Sequence, residues 1–213
     1  MVDVAQMDPS ISGHAELPRL TARLMDPAHA VSVARLGGAE AIRTSLLADC
    51  GPDDGACLAR LDATFRFRTA YGLDDVTLDD GCGVMSMHAP VGEHPPVARL
   101  RLQHLEQLAE VSAVRACYVY MELGSRLRLK YGTKLIRKLD MRGVDIIKFV
   151  QRTSLITGLI TTATDHSYPP RGGFHVRALN CPRPLALVLT AAIKLLPARV
   201  RDRSQLEFTE GSD

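Results

Sequence analysis

The chain has 213 residues, 46% hydrophobic and 23% charged, with a formal net charge of +2. That balance is globular rather than disordered, and so small a charge does not by itself point to a nucleic-acid partner. The length suits one main fold, or a compact domain behind a helical extension.

Five cysteines, Cys50, Cys57, Cys82, Cys117 and Cys181, form no CxxC pair, and the seven histidines show no metal-ligand spacing. Reduced thiols in a cytosolic compartment are expected, with no metal and no cofactor. The first residues, MVDVAQMDPSISGHAEL, carry Asp3 and Asp8 and lack the shape of a signal peptide. Uncharged runs such as 153-164 fall short of the roughly 20 residues that a membrane span needs.

Between 16 and 49, Leu17, Leu20, Leu24, Val31, Val33, Leu36, Ile42, Leu46 and Leu47 recur around breakers at Pro27 and Gly37-Gly38. The pattern predicts two or three short amphipathic helices packed as a cap. Gly51-Pro52-Asp53-Asp54 supplies a turn and an N-cap for a helix carrying Leu58, Leu61, Phe65 and Tyr71, which ends near Gly72.

Residues 74-96 are rich in Asp, Gly and Pro and read as a loop with at most one short strand. The expected division is a helical region over 1-76 and a second unit over 77-213.

VARLRL from Val97 then alternates as a strand, and 105-130 has helical periodicity. KLIRKLDM at 134-141 suits a strand, 145-164 a helix, FHVRALN at 174-180 another strand, and PLALVLTAAIKLLP follows. This alternation predicts an α/β fold, a mostly parallel or mixed sheet flanked by helices through right-handed crossovers.

DHSYPPRGGFHVRALNCP at 165-182 resembles the CRAL-TRIO signature, a helix ending in Tyr-Pro-Glu-Arg followed by a strand ending Asn-Ala-Pro. Tyr168, Pro169, Arg171, Gly173, Asn180 and Pro182 match it. LDMRG at 139-143 is similar to the family's Asp-Leu-Lys-Gly strand end, and GEHPPVARL at 92-100 to its Asp-Gly-Arg-Pro-Val strand. DDGACLARLDATFRF at 53-67 is similar to the helical region that precedes the domain. The matching blocks cover about 53-76 and 90-210 and agree in order and spacing.

The resemblance implies a sheet forming the floor of an apolar cavity and, at 183-196, a helix that gates a bound lipid. Leu185, Val188, Leu189, Ala192 and Ile193 are the apolar residues expected to meet it. The same composition also suits a fully buried core helix.

Lys194, Arg199, Arg201 and Arg203 follow, where cations meet anionic head groups or are merely solvated. The family's phosphoinositide-binding positions correspond to Pro170, Val200 and Arg203, so only a charge is retained. That speaks against phosphoinositide.

Arg137, Lys138, His175 and Arg177 depart from the family's apolar strands. Alternation allows Arg137 and Arg177 to face the pocket together and hold an acidic head group, with Arg99 or Arg101 contributing. The other reading places them on the outer face of the sheet, reaching into water.

The chain ends at LEFTEGSD, so the strand that follows the gate in the family is expected to be missing. Cys181, where the family has Ala, reads as packing. GCG at 81-83 lacks the context of a phosphate loop, and the basic stretch 126-152 reads as a solvated face without specific nucleic-acid binding.

The expected function is non-enzymatic: binding, and transfer between membranes, of a hydrophobic or amphiphilic lipid by a cytoplasmic protein that visits membrane surfaces transiently. The alternative is a protein-interaction or regulatory module that keeps the fold without a ligand.

Overall fold

The computed structural model describes residues 17-132, 134-152, 157-159, 161-162, 166, 175-195, 201 and 205-209. The N-terminal part is helical: α1 (Pro18–Leu24), a 3-10 turn (Pro27–His29), α2 (Ala30–Arg35), α3 (Ala39–Cys50) and α4 (Asp54–Tyr71). Leu20, Leu24, Leu36, Ile42, Leu46, Leu61 and Phe65 bury together as its core.

Capping ties these helices to one another. The Asp53 side chain accepts from the Ala56 N–H at 3.0 Å at the start of α4. Asp54 accepts from the Arg19 and Leu20 N–H groups at 3.2 and 2.9 Å, meeting donors that the first turn of α1 leaves open. Gly72 closes α4 at φ +58, the left-handed end that glycine adopts most cheaply.

The second part begins with β1 (Met85–His88), antiparallel to β2 (Val97–Arg101). After β2 come α5 (Leu102–Glu106), α6 (Glu110–Tyr131), β3 (Ile136–Asp140), α7 (Ile146–Gln151), β4 (His175–Leu179), α8 (Arg183–Lys194) and β5 (Gln205–Thr209). The sheet order is β1-β2-β3-β4-β5, with β2 to β5 parallel. Each crossover steps the same way across the sheet, so right-handed connections put α6, α7 and α8 on one side.

Three expectations change. The helix expected over 105-130 is two, because the chain turns extended at Ala109 (φ −56, ψ 148). Leu102, Leu105 and Leu108 before that break and Ala113, Val114 and Ala116 after it pack against one core, so the apolar period runs through it. Within the helix expected over 145-164, Asp145 caps α7 at its start, α7 closes at Gln151 with Arg152 as its C-cap, and residues 157-159 and 161-162 are helical; 153-156, 160 and 163-164 lie outside the described residues.

The strand expected to be missing after the gate is present. β5 pairs in parallel with β4, Arg177 opposite Glu207 and Ala178 opposite Phe208. QLEFT hides its strand character by putting Gln205 and Glu207 on one face of an edge.

A buried ion-pair cluster joins the two parts. The Arg68 guanidinium of α4, 1% exposed, donates to both Glu122 carboxylate oxygens of α6 at 2.9 Å and to Asp74 at 2.8 Å. Arg126 donates to Glu122 at 2.8 Å and also reaches the Leu73, Asp74 and Val76 carbonyls. Burial opposes the Arg68 charge, but Glu122 and Asp74 outweigh it and hold the group above its ordinary value. No described helix is long and apolar enough to cross a membrane.

Candidate functional site

Register separates the residues that alternation alone left together. Arg137 stands opposite Ala98 and Val176, whereas Arg177 stands opposite Lys138 and Glu207, and Lys138 opposite Arg99. Side chains alternate along a strand, so Arg137 lies on one face and Arg99, Arg101, Lys138 and Arg177 lie on the other. The expected shared head-group site of Arg137 and Arg177 is therefore corrected: the two point to opposite sides of the sheet.

The inner face, toward the helices, carries Met85, Met87, Ala98, Leu100, Leu139, Val176, Ala178, Leu206 and Phe208 around Arg137. Arg137 is 6% exposed and sits 5.3 Å from the Tyr120 ring centroid, a cation over an aromatic face. Tyr120 of α6 donates its hydroxyl to the Ala98 carbonyl at 3.0 Å. Burial pushes the Tyr120 phenol up to about 12 and lowers the Arg137 guanidinium.

Gly124 makes that approach possible, since a Cβ there would stand 2.8 Å from Arg137 Nη1. Arg137 therefore has a structural setting that its sequence context did not reveal. The signal was the Tyr120-x3-Gly124 spacing on one helix face.

At the carboxyl ends of the strands, Asp140 gathers three elements. It accepts from Arg99 at 2.5 Å, from the Asn180 side chain at 3.1 Å and from the Arg142 N–H at 3.1 Å. Burial raises its pKa, but these donors together outweigh that and hold it below the ordinary carboxylate range. Asn180 takes the left-handed conformation at φ +53, which turns β4 toward α8. Gly143 (φ +70) packs its Cα against Gln103, where a Cβ would come within 2.6 Å. These are the residues of LDMRG and of the Asn-x-Pro strand end, so both motifs have local structural roles.

α8 occupies the expected gate position. Leu185 and Leu189 bury against the core, Val188, Ala192 and Ile193 are half-buried, and Leu187 and Leu195 are each 73% exposed. It adjoins α7, whose Phe149 is buried while Ile147 and Val150 are exposed. The helix is thus neither wholly buried nor polar outside. Cys181 beside it is buried, and burial raises its thiol pKa. Arg203, Arg199, Pro170 and Val200, together with the Tyr168 to Gly173 turn, lie outside the described residues.

Between α5, α6, α7 and residue 159 lies an apolar pocket of about 40 Å³, lined by Leu102, Leu105, Ala113, Val114, Cys117, Phe149 and Leu159, with Glu106 and Arg152 at its edge. Burial pushes the Cys117 thiol up to about 11, which keeps it unreactive. The volume suits a water or a methyl group, not an acyl chain.

No protein-family model matches the chain, and no curated protein matches it in sequence. Its fold is similar to the crystal structure of Sfh5, a Sec14-family protein of CRAL-TRIO type, with a TM-score of 0.58 at 13% identity. The likeness covers 84% of this chain and 66% of that one, so this chain spans just under two thirds of its neighbour. At that identity the likeness shows the fold: a mixed five-stranded sheet with flanking helices, of CRAL-TRIO type.

Proposed function

We propose that the chain binds a hydrophobic or amphiphilic lipid between the inner face of the sheet and α8, and exchanges it at membrane surfaces without chemical catalysis. The observation that carries this reading is the two-sided apolar character of α8. Leu185 and Leu189 fill the core while Leu187 and Leu195 stand exposed, as do Ile147 and Val150 on the adjoining α7.

Exposed apolar residues on neighbouring helices, with Lys148, Arg183 and Lys194 on those same helices, suit insertion into an anionic bilayer surface. Insertion would draw α8 outward and open the layer that Leu185 and Leu189 close. Leu185, Val188, Leu189, Ala192 and Ile193 are then the residues meeting the lipid tail, in a cytoplasmic protein that visits membranes.

The test is transfer of a fluorescent phospholipid between vesicles containing phosphatidylserine. Leu187→Asp with Leu195→Asp should lower the rate at least about tenfold, because two charges oppose insertion, and leave the circular dichroism unchanged. Transfer equal to wild type would contradict the gate.

A second reading, a ligand-free interaction module on the same fold, is favoured by one observation: Leu185 and Leu189 of α8 are buried in the core, so the chain's own side chains fill the layer that a lipid tail would occupy.

A further inference from the structure

The fold brings two cysteines together that the sequence spacing keeps apart. Cys50 is the last residue of α3, and Cys57 lies in the first turn of α4. Gly51 reverses the chain between them at φ +67, a conformation that glycine adopts without strain. A Cβ at Gly51 would meet nothing within 4 Å, so the turn has open space beside it.

The two thiols stand within hydrogen-bonding reach of each other. Cys57 is wholly buried, and its thiol also donates to the Gly51 carbonyl at 3.5 Å. Cys50 is half-buried and packs against the same helical core. Burial pushes the Cys57 thiol up to about 11, and Cys50, Asp53 and Asp54 add to that rise. Cys57 therefore holds its proton at neutral pH. The other cysteines have different settings: Cys117 and Cys181 are raised by burial alone, and Cys82 is exposed.

We propose that Cys50 and Cys57 form a redox-active dithiol, which a hydroperoxide oxidises to an intramolecular disulfide. Cys50 is the more accessible sulfur and reacts first. It attacks one peroxide oxygen, the O–O bond breaks, and the departing hydroxide takes up the thiol proton as water, leaving a sulfenic acid. Cys57 then attacks the Cys50 sulfur, the S–O bond breaks, and the hydroxide released takes the Cys57 proton as a second water. Two electrons pass from the thiol pair to the peroxide.

An uncharged oxidant suits this corner, because Asp53 and Asp54 stand near Cys57 and repel anionic reagents. Closing the bond moves the sulfurs from hydrogen-bonding reach to about 2.05 Å. The disulfide would pin the end of α3 to the start of α4, beside the Asp54 carboxylate that caps α1. The site is separate from α8 and from the lipid reading.

The test treats the reduced full chain with hydrogen peroxide at neutral pH, blocks remaining thiols with iodoacetamide and weighs a tryptic digest. Both cysteines fall in one tryptic peptide, residues 44-60. The expected product is that peptide lighter by two hydrogens than its dithiol form, free of the blocking group and restored by dithiothreitol. It should exceed peptide carrying Cys50 sulfinic acid at least about tenfold, since the neighbouring thiol reacts before a second peroxide arrives. Cys57→Ala should abolish the disulfide and leave Cys50 as a sulfenic acid that dimedone traps, or as its sulfinic product; Cys57→Ser serves if the alanine variant does not fold. Two thiols that merely pack together would both carry the blocking group at peroxide doses that oxidise Cys82, and that result would overturn the proposal. So would as much Cys50 sulfinic acid in the wild-type chain as in the Cys57 variants.

Discussion

The two faces of one sheet are built from alternate residues of the same five strands, and they differ in kind. The inner face is apolar with one buried cation, Arg137, fitted against Tyr120 and the bare Cα of Gly124. The outer face is polar, with cations set in a row and carboxylates at its ends. The difference teaches that alternate residues of one strand serve different ends: the inner ones pack against the helices, while the outer ones are tied by ion pairs across strands.

The largest expected effect tests how the inner layer is anchored. Glu122→Ala removes the carboxylate that Arg68 and Arg126 share and leaves a guanidinium buried without its main partner. It should cost about 3–5 kcal/mol in chemical denaturation. Loss of less than about 1 kcal/mol would mean that the helical part and the sheet part are held together by apolar contact alone.

Within α8 the same contrast appears on a smaller scale. Leu185→Ala, at a position with no exposure, should cost about 3 kcal/mol. Leu187→Ala, 73% exposed, should stay within about 0.5 kcal/mol of wild type. Thermal melts of the two variants separate the core side of the helix from its outer side.

At the strand ends, Asp140→Asn should cost about 1–3 kcal/mol by weakening its links to Arg99 and Asn180. The pH dependence has a definite sign. The folded carboxyl is held below its unfolded value of about 3.9, so its contribution is full above that pH and is lost as pH falls through the folded value. Wild type and Asp140→Asn should therefore converge in stability in acid, as urea unfolding at neutral and low pH would measure.

The smallest effect belongs to the outer row. Lys138→Glu should leave stability unchanged or raise it by about 0.2–1 kcal/mol, since it replaces like-charge neighbours by opposite ones. A substantial loss of stability would show that Lys138 holds the sheet together and that the two faces are less distinct than the register implies.

Much of this architecture was legible in the sequence. The apolar run at 183-196, the strands around Arg137 and Arg177, and the turn chemistry at Gly72 and Asn180 each reflect a local requirement that neighbouring residues express. Register was not legible, because alternation fixes parity within a strand but not between strands, and a shift of one residue decides whether Arg137 and Arg177 share a face. β5 was missed because an edge strand can carry Gln205 and Glu207 without cost, so its composition resembles a tail. The buried setting of Arg137 depends on Gly124 and Tyr120, residues that meet it only after α6 has crossed the sheet.

Native mass spectrometry of the full chain, after incubation with mixed phospholipid vesicles and separation from them, tests the central claim most directly. The account predicts a stoichiometric lipid adduct on the folded protein, reduced in a Val188→Asp variant that places a charge on the gate's half-buried side. Persistent recovery of the bare chain, whatever the vesicle composition, would contradict lipid binding and leave the ligand-free module in its place.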